Sequence, residues 1–460
     1  MAVSGITLKM KNLAPLLASM PKLNRRQTLL GLCSASLVAP NSAVAQLGSL
    51  LNAKDLGLID NSSAEQSVIL QGLINSAADV GLPLFIPSGI YNVSGISLPS
   101  NISIFGISGA TILKAADSKT VFNCQNGANI NIKDIDIDGA KAGSKNLIHF
   151  TNCQNITLNN IGLKNSSGNG AFLEKCQGEI SSCAISNIKL AAIHLQDSLG
   201  MIVSANHIKN CNNGGILVWR YNRGRDGSVI TDNQIASIGS ESGNGQNGNG
   251  VNIFNADEVI IANNSITDCA FSAVRANTTN NTIIKGNICT QCQEVAIFSE
   301  FAFSGSIIAD NIIDQAATGI SITNFDDGGR LAVCSGNIVR NIWKSSPTNP
   351  DTYPVAIFVE ADTAVSGNVI ENVPGLGIYA GWGVYLRDVL VSNNVVRNTM
   401  IGIGVSMVEG AGIAHISDNV ITGSKVAAIS GMSWLEPKGS DLIEKPDQFS
   451  NVKIMSNTKN

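Results

Sequence analysis

Apolar and polar residues alternate along most of the chain in short stretches that recur every two to three dozen residues. Most of these repeats contain the phrase Asn-x-Ile or Asn-x-Val, with an apolar residue or Cys three positions before the Asn. Alternation with a period of two is typical of β-strands, and a fixed repeat of this length predicts stacked coils that share one buried face. The anchor residues of the repeats are Asn206, Asn233, Asn264, Asn287, Asn311, Asn337, Asn368, Asn394 and Asn419.

Each repeat is too short for a helix plus a strand, so we predict an all-β solenoid, a parallel β-helix. Its coils are expected to occupy residues 101–433, and residues 434–460 a C-terminal cap with one last coil. Residues 46–100 are predicted to cover the N-terminal end, with a capping helix from about Ser63 to Ala78 and Ser62 or Ser63 as its N-cap.

Residues 1–45 resemble an export signal. Arg25 and Arg26 precede an apolar stretch, and residues 43–45 form an Ala-x-Ala cleavage site. The paired arginines indicate the twin-arginine export machinery as a partner, although Thr28 stands where such signals often carry Phe. An ordinary secretory signal is the alternative, and residues 1–19 are consistent with a mis-assigned start. Both readings predict a periplasmic or secreted protein.

The predicted capping helix and the short motifs that follow it resemble the N-terminal segment of pectin-lyase-like right-handed β-helix proteins. Together with the paired arginines, they resemble the twin-arginine-translocated repeat proteins of unknown function. The resemblance implies a right-handed, single-stranded β-helix related to carbohydrate-processing proteins, and it implies little about activity. The motifs are Pro87-Ser88-Gly89-Ile90-Tyr91, Leu98-Pro99-Ser100-Asn101-Ile102 and Phe105-Gly106.

Composition narrows the choice of partners. The net charge of −4 argues against nucleic acid and against an anionic membrane, and no apolar run is long enough for a transmembrane segment. The cysteines share repeat positions with aliphatic residues, which predicts buried packing rather than redox or zinc chemistry, although a disulfide between Cys269 and Cys292 stays open. The sequence does not indicate an oligomeric state.

A second strand in each coil is predicted to form the floor of a groove, because long insertions flank it on both sides. Its outward side chains include aromatic rings, carboxylates and a cation, the groups that bind sugars. We therefore expect binding of an extracellular or envelope polysaccharide, with lyase, hydrolase or epimerase activity left open. The alternative is a non-catalytic envelope scaffold or adhesin. The expected substrate-binding residues are Trp219, Arg220, Asn252, Phe254, Arg330, Tyr379 and Trp382.

Two chemistries fit this floor. Glycoside hydrolysis needs a carboxyl pair, for which Glu300 and Glu360 are two coils apart and Asp326 and Asp327 offer closer partners. Elimination from a uronate needs a cation, for which Arg275 is the candidate. His194 lies too far from Arg275 to cooperate with it and is expected to be a surface histidine.

No cofactor motif is present in the sequence. Calcium is a weak alternative at Asp134, Asp136 and Asp138, because three single carboxylates fall short of the usual six to eight ligands.

Overall fold

The structure is a computed structural model and describes residues 50–140, 143, 145–243 and 245–460. The export signal predicted at residues 1–45 lies outside the described residues. None of the helices in the described part of the chain has the length and apolar character needed to cross a membrane.

The predicted parallel β-helix is confirmed, and each coil contributes to three columns of strands, named A, B and C in chain order. Column A is a separate sheet of 16 strands. All its neighbouring strands pair in parallel, as stacked coils require. Its strands are Leu51–Asn52, Leu84–Phe85, Ile102–Phe105, Ala128–Lys133, Gln154–Asn159, Gly178–Ser181, Ile202–Ser204, Val229–Thr231, Ile260–Ala262, Asn280–Lys285, Ser304–Ala309, Arg330–Ser335, Thr363–Ser366, Val389–Ser392, Ala414–Ser417 and Val452–Met455.

Columns B and C form the second sheet, because four long strands run through both columns. These four strands are Ile288–Glu300, Ile312–Ile322, Val369–Ala380 and Val395–Ser406. The other strands of column B are Gly89–Val93, Thr111–Ala115, Asp136–Asp138, Gly162–Ser166, Ala184–Ile188, His207–Cys211, Gln234–Ile238, Ser265–Cys269, Ile338–Arg340, Val420–Thr422 and Thr458–Lys459. Those of column C are Ile96–Ser97, Phe122–Gln125, Asn146–Thr151, Asn169–Glu174, Ala191–Gln196, Gly214–Arg225, Asn249–Asp257, Val274–Asn277, Val355–Val359 and Ala427–Ser433, with Glu436–Lys438 paired antiparallel to the last.

The anchor asparagines form a buried ladder at the corner between columns A and B. In each coil the backbone N–H and the side-chain amide of the Asn donate to Oδ1 of the Asn in the next coil, as Asn287 does to Asn311 at 2.9 and 3.0 Å. The same amide donates to a column A carbonyl of the preceding coil, at 3.1 Å from Asn287 to Ile261. The residue before the anchor adopts a left-handed conformation, for example Gly286 with φ 67°. This turn explains why Asn, Asp and Gly dominate that position.

The described cysteines are free thiols buried in the core, as predicted from their shared slots. Cys269 and Cys292 are register partners in adjacent coils. Burial raises the pKa of Cys292 to about 12, so its thiol is an unreactive hydrophobe at neutral pH.

One helix, Ser67–Val80, covers the N-terminal end and packs Leu70, Ile74 and Ala77 into the core. The predicted helix started too early. Glu65 forms a parallel bridge with Asn92, which holds the residues before Gln66 in an extended conformation, and Gln66 is the N-cap. The helix ends at Gly81, whose φ of 68° is the usual left-handed C-cap.

Candidate functional site

The outer face of column C is the predicted groove floor, and its register is the one expected from the sequence. His194, Leu217, Asn252, Arg275 and Phe298 follow one another in successive coils. Residues of the flanking insertions and of this floor line two pockets. We name them the acidic pocket and the aromatic pocket after the side chains that line them.

The acidic pocket is an open cavity of about 360 Å³ over the C-terminal part of column C. Glu360 lies on its floor, and the loops before and after column C contribute Asp351 and Asp326. Among the described residues, no Lys, Arg or His lines it. Its carboxylic side chains are Glu294, Asp326, Asp351 and Glu360, and its rings are Phe298, Tyr353, Phe358, Trp382 and Tyr385.

Glu360 is the most perturbed carboxyl group in this pocket. It is only 5 % exposed, and its Oε2 accepts a 2.7 Å hydrogen bond from the Phe325 N–H. Burial raises the pKa of Glu360 to about 7, the Phe325 bond opposes the rise, and the neighbouring Asp326 adds to it. The side chain therefore exchanges its proton near neutral pH, which suits an acid catalyst.

Asp326 is held beside Glu360 by a short 3-10 helix, Phe325–Asp327. The turn is fixed from outside, because the Arg387 guanidinium lies 4.4 Å from the Phe325 ring centroid. Asp362 in turn accepts hydrogen bonds from Arg387 at 2.7 and 2.6 Å. Asp326 itself is exposed and lines the acidic pocket.

Stacked rings support the C-terminal side of the acidic pocket. Phe358 lies parallel to Tyr379 with 5.0 Å between ring centroids, and Trp382 packs against Tyr353 at 5.5 Å. Tyr379 is fully buried beneath this layer, and its hydroxyl donates to the Trp434 carbonyl. The exposed ring faces above it present a platform for a pyranose ring.

The aromatic pocket is a cavity of about 500 Å³ further toward the N-terminus. Its rings are Trp219, Tyr221, Phe254 and Phe301, and its hydrogen-bonding groups include Gln196, Asn252 and Asn277. One wall is the loop before column C, where the Gln246 carbonyl accepts a 2.9 Å bond from Asn252. Phe254 and Glu360 occupy the same outward column four coils apart, so these two residues lie about 19 Å apart along the rod.

An ion-pair network separates the two pockets. Arg275 donates to both carboxylate oxygens of Glu300, at 2.6 and 2.8 Å, and to Glu294 at 3.2 Å. Burial works against the charged form, but the hydrogen bonds and charge of Glu300 outweigh it and raise the pKa of Arg275. Glu294 also accepts a 2.8 Å bond from Asn349, so the network anchors the loop over the acidic pocket.

The structure thus brings some predicted site residues together and separates others. Trp219, Arg220, Asn252, Phe254 and Arg275 line the aromatic pocket, whereas Glu360, Asp326 and Trp382 line the acidic pocket. The remaining four, Glu300, Asp327, Arg330 and Tyr379, line neither pocket.

Two of these placements change the predicted roles. Glu300 is 2 % exposed and bound to Arg275, so its charge is neutralised by Arg275 and it lines neither pocket. Arg330 begins a column A strand and contacts Asp362 at 3.1 Å, away from both pockets.

His194 lies on the outer face of column C, as expected, but it is half-buried by neighbouring rings. Its ring lies between Phe172 and Trp219 in an aromatic row, with centroids 4.9 and 5.1 Å away. Burial lowers the pKa of His194 to about 4, so the ring is neutral at physiological pH. This row leads into the aromatic pocket.

The acidic pocket also contains ionisable and aromatic residues that the predicted site does not include, among them the four residues Glu294, Asp351, Tyr353 and Tyr385. Asp351, Tyr353 and Tyr385 lie in the insertions expected to flank the groove, and that position was the sequence feature that could have identified them. Glu294 lies at a bulge between columns B and C, where the register shifts. Nothing in the repeat pattern indicated that bulge.

No group of three or more metal-binding side chains occurs in the described part of the chain. Asp134 bonds to Asn160 and Asp138 bonds to Asn165, at 2.6 and 2.9 Å, so these carboxylates make separate structural contacts.

Comparisons with known proteins agree with this fold. A family model described as "Right handed beta helix region" matches residues 146–240. No curated protein matches the sequence.

Solved structures match over most of the chain at low identity. The A-module of mannuronan C-5 epimerase AlgE6 from Azotobacter vinelandii is 14 % identical with a TM-score of 0.50, over 89 % of this chain and 99 % of that one. The alginate lyase AlyF-OU02, solved with G6, is 13 % identical with a TM-score of 0.51, over 90 % and 97 %. PfbA, a surface adhesin of Streptococcus pneumoniae, is 15 % identical with a TM-score of 0.46, over 85 % and 95 %. At this identity the first two of these matches show the right-handed parallel β-helix fold alone.

Proposed function

We propose that this protein is an exported polysaccharide-binding β-helix that hydrolyses glycosidic bonds in the acidic pocket. The observation that carries the proposal is Glu360, a buried carboxyl group with a pKa near 7 beside the exposed Asp326 and a platform of rings. The rings and the acid line the same cavity. The binding function agrees with the polysaccharide names of the two alginate-enzyme matches.

In the proposed reaction Glu360 donates its proton to the glycosidic oxygen as the bond to the sugar carbon breaks. Asp326 accepts a proton from the water that forms the new bond to that carbon. Glycoside hydrolysis requires two carboxyl groups of this kind, one that donates a proton and one that accepts a proton. The products are two shorter chains, one with a new reducing end.

Elimination from a uronate is less consistent with the same geometry. That reaction needs a cation to neutralise the substrate carboxylate. Arg275 already binds two carboxylates, and the described lining of the acidic pocket contains carboxylic side chains without a cation. A neutral polysaccharide is therefore the proposed substrate class.

The hydrolytic rate should fall as the pH rises through about 7. Glu360 acts in its protonated form, and its pKa is raised to about 7, so kcat/KM is expected to drop about tenfold per pH unit above that value. A pH profile of kcat/KM measures this fall on the alkaline side. The Asp326→Asn protein is expected to retain a small residual activity, and its kcat/KM should begin to fall at a lower pH than that of wild type. The reason is that the Asp326 charge helps raise the pKa of Glu360. A flat profile between about pH 6 and about pH 9 would exclude Glu360 as the acid.

The aromatic pocket should matter only for long substrates. A chain that reaches from Glu360 past Phe254 to Trp219, one coil further, must span about 24 Å. Trp219→Ala is expected to raise KM about tenfold for chains of that length and to leave shorter oligosaccharides unchanged, since a stacked ring contributes about 1 kcal/mol or more. Phe172→Ala, in the same aromatic row but outside the pocket, is the matched control. Equal effects of Trp219→Ala on short and long chains would contradict this role.

A further inference from the structure

The outer face of column A changes character along the rod. At one outward position, successive coils carry Ser103, Asn131, Thr157 and Glu179. The same position in the next eight coils is aliphatic, and in the two coils after that it is His415 and Lys453. The eight aliphatic residues are Ile202, Val229, Ile260, Ile283, Ile307, Val333, Ala364 and Leu390.

Column B shows the same change at its first outward position. His207, Gln234 and Ser265 are followed by six aliphatic residues, and then by Thr458. These six are Ile288, Ile312, Ile338, Val369, Val395 and Val420. The two rows flank the buried Asn ladder and are both aliphatic in five successive coils, those of Asn287, Asn311, Asn337, Asn368 and Asn394. We name the fourteen residues together the apolar face.

The apolar face is open to solvent. Ile288, Ile307 and Val369 are 47 %, 43 % and 43 % exposed, and none of the fourteen residues lines the acidic or the aromatic pocket. Polar residues occupy the same positions in the flanking coils, so the fold does not require aliphatic residues there. A bounded apolar surface of this kind marks a contact with another molecule.

We propose that the apolar face is the interface with a second copy of this chain. Eight column A strands and six column B strands, at about 4.8 Å per coil and with about three to four residues of about 3.3 Å each, present roughly 800 Å² of sheet surface, of which the aliphatic rows are the apolar part. That area equals the roughly 800 Å² per partner of a standard interface. A second copy also supplies aliphatic rows at the same coil spacing, so the two faces interdigitate about a two-fold axis.

Other partners fit this face less well. A surface that binds anionic lipid needs an excess of basic residues. The arginines beside the rows are paired instead, Arg340 with Asp314 and Arg397 with Glu371. The fourteen residues include no aromatic ring for stacking on sugars. The apolar face lies on columns A and B, so a second copy bound there leaves the groove on column C free for a polysaccharide.

The test is the mass of the purified protein in solution, measured by sedimentation equilibrium from about 1 to about 100 µM. The wild-type protein is expected to be a dimer at the upper end of this range. Ile307→Lys and Val333→Lys should each give a monomer, with an unchanged β-sheet circular dichroism spectrum. Thr157→Lys, at the same outward position in the polar part of column A, is the matched control and should remain a dimer.

A wild-type protein that is monomeric over the whole range would overturn the proposal. So would a dimer that persists in both folded lysine variants, because the interface would then lie elsewhere. Binding of the monomer to neutral lipid vesicles that is lost in Ile307→Lys would assign the face to a membrane surface and overturn it as well. The result is independent of the proposed hydrolysis, since no residue of the face lines either pocket.

Discussion

Glu360→Gln is expected to reduce the release of reducing ends by about 10²- to 10⁴-fold, the usual contribution of a general acid. The amide has nearly the shape of the carboxyl group but cannot donate an acidic proton to the glycosidic oxygen. Binding of the polymer should stay within about threefold of wild type, because the rings of Phe358 and Trp382 are untouched. Rates are measured as reducing ends formed, and affinity by isothermal titration.

Glu174→Gln is the matched control for that experiment. Glu174 points outward from column C in the coil of Phe172, outside both pockets. It should retain wild-type activity. A Glu360→Gln protein that still hydrolyses the polymer at a similar rate would place the acid elsewhere, whereas loss of binding together with rate would indicate a structural role for Glu360.

Asn311→Ala is expected to lower the free energy of unfolding by about 3 to 5 kcal/mol. Asn311 is fully buried, and its side chain accepts bonds from the backbone and amide of Asn287 and donates to Asn337 and to the Ile284 carbonyl. Alanine leaves several of these groups buried without a partner, each at about 1 to 3 kcal/mol. Urea unfolding followed by circular dichroism measures the change.

The control for the ladder is Asn131→Ala. Asn131 faces outward from column A, is exposed and donates one 3.3 Å bond to Ser103. Its loss is expected to change stability by less than about 0.5 kcal/mol, as for most surface positions. Similar destabilisation at Asn131 and Asn311 would show that the ladder is not a special source of stability.

The sequence predicts the coils and their register well because both depend on repeated local chemistry. The spacing from Asn264 to Asn287 to Asn311 predicts where each coil turns from column A to column B. The alternation of apolar and polar residues on either side predicts which side chains point inward. Cys269 and Cys292 were assigned to the core by this register alone, and both are buried.

The pockets were less predictable because they depend on which loops lie over the floor. Register places Arg275 and Glu300 on neighbouring outward columns, but their pairing follows from burial beneath the loops. Tyr379 was expected on the groove floor, yet the Trp434 carbonyl and the Phe358 ring cover it. Asp351 and Tyr353 enter the site through the fold of an insertion, whose position was predicted while its conformation was not.

The most direct test of hydrolysis in the acidic pocket is a product screen of the purified protein on neutral and uronate polysaccharides. New reducing ends from a neutral polymer, without ultraviolet-absorbing unsaturated ends and lost in Glu360→Gln, are the expected result. Unsaturated ends from a uronate polymer would contradict hydrolysis and favour a lyase. Binding without any product would instead favour an adhesin-like protein with no catalytic role.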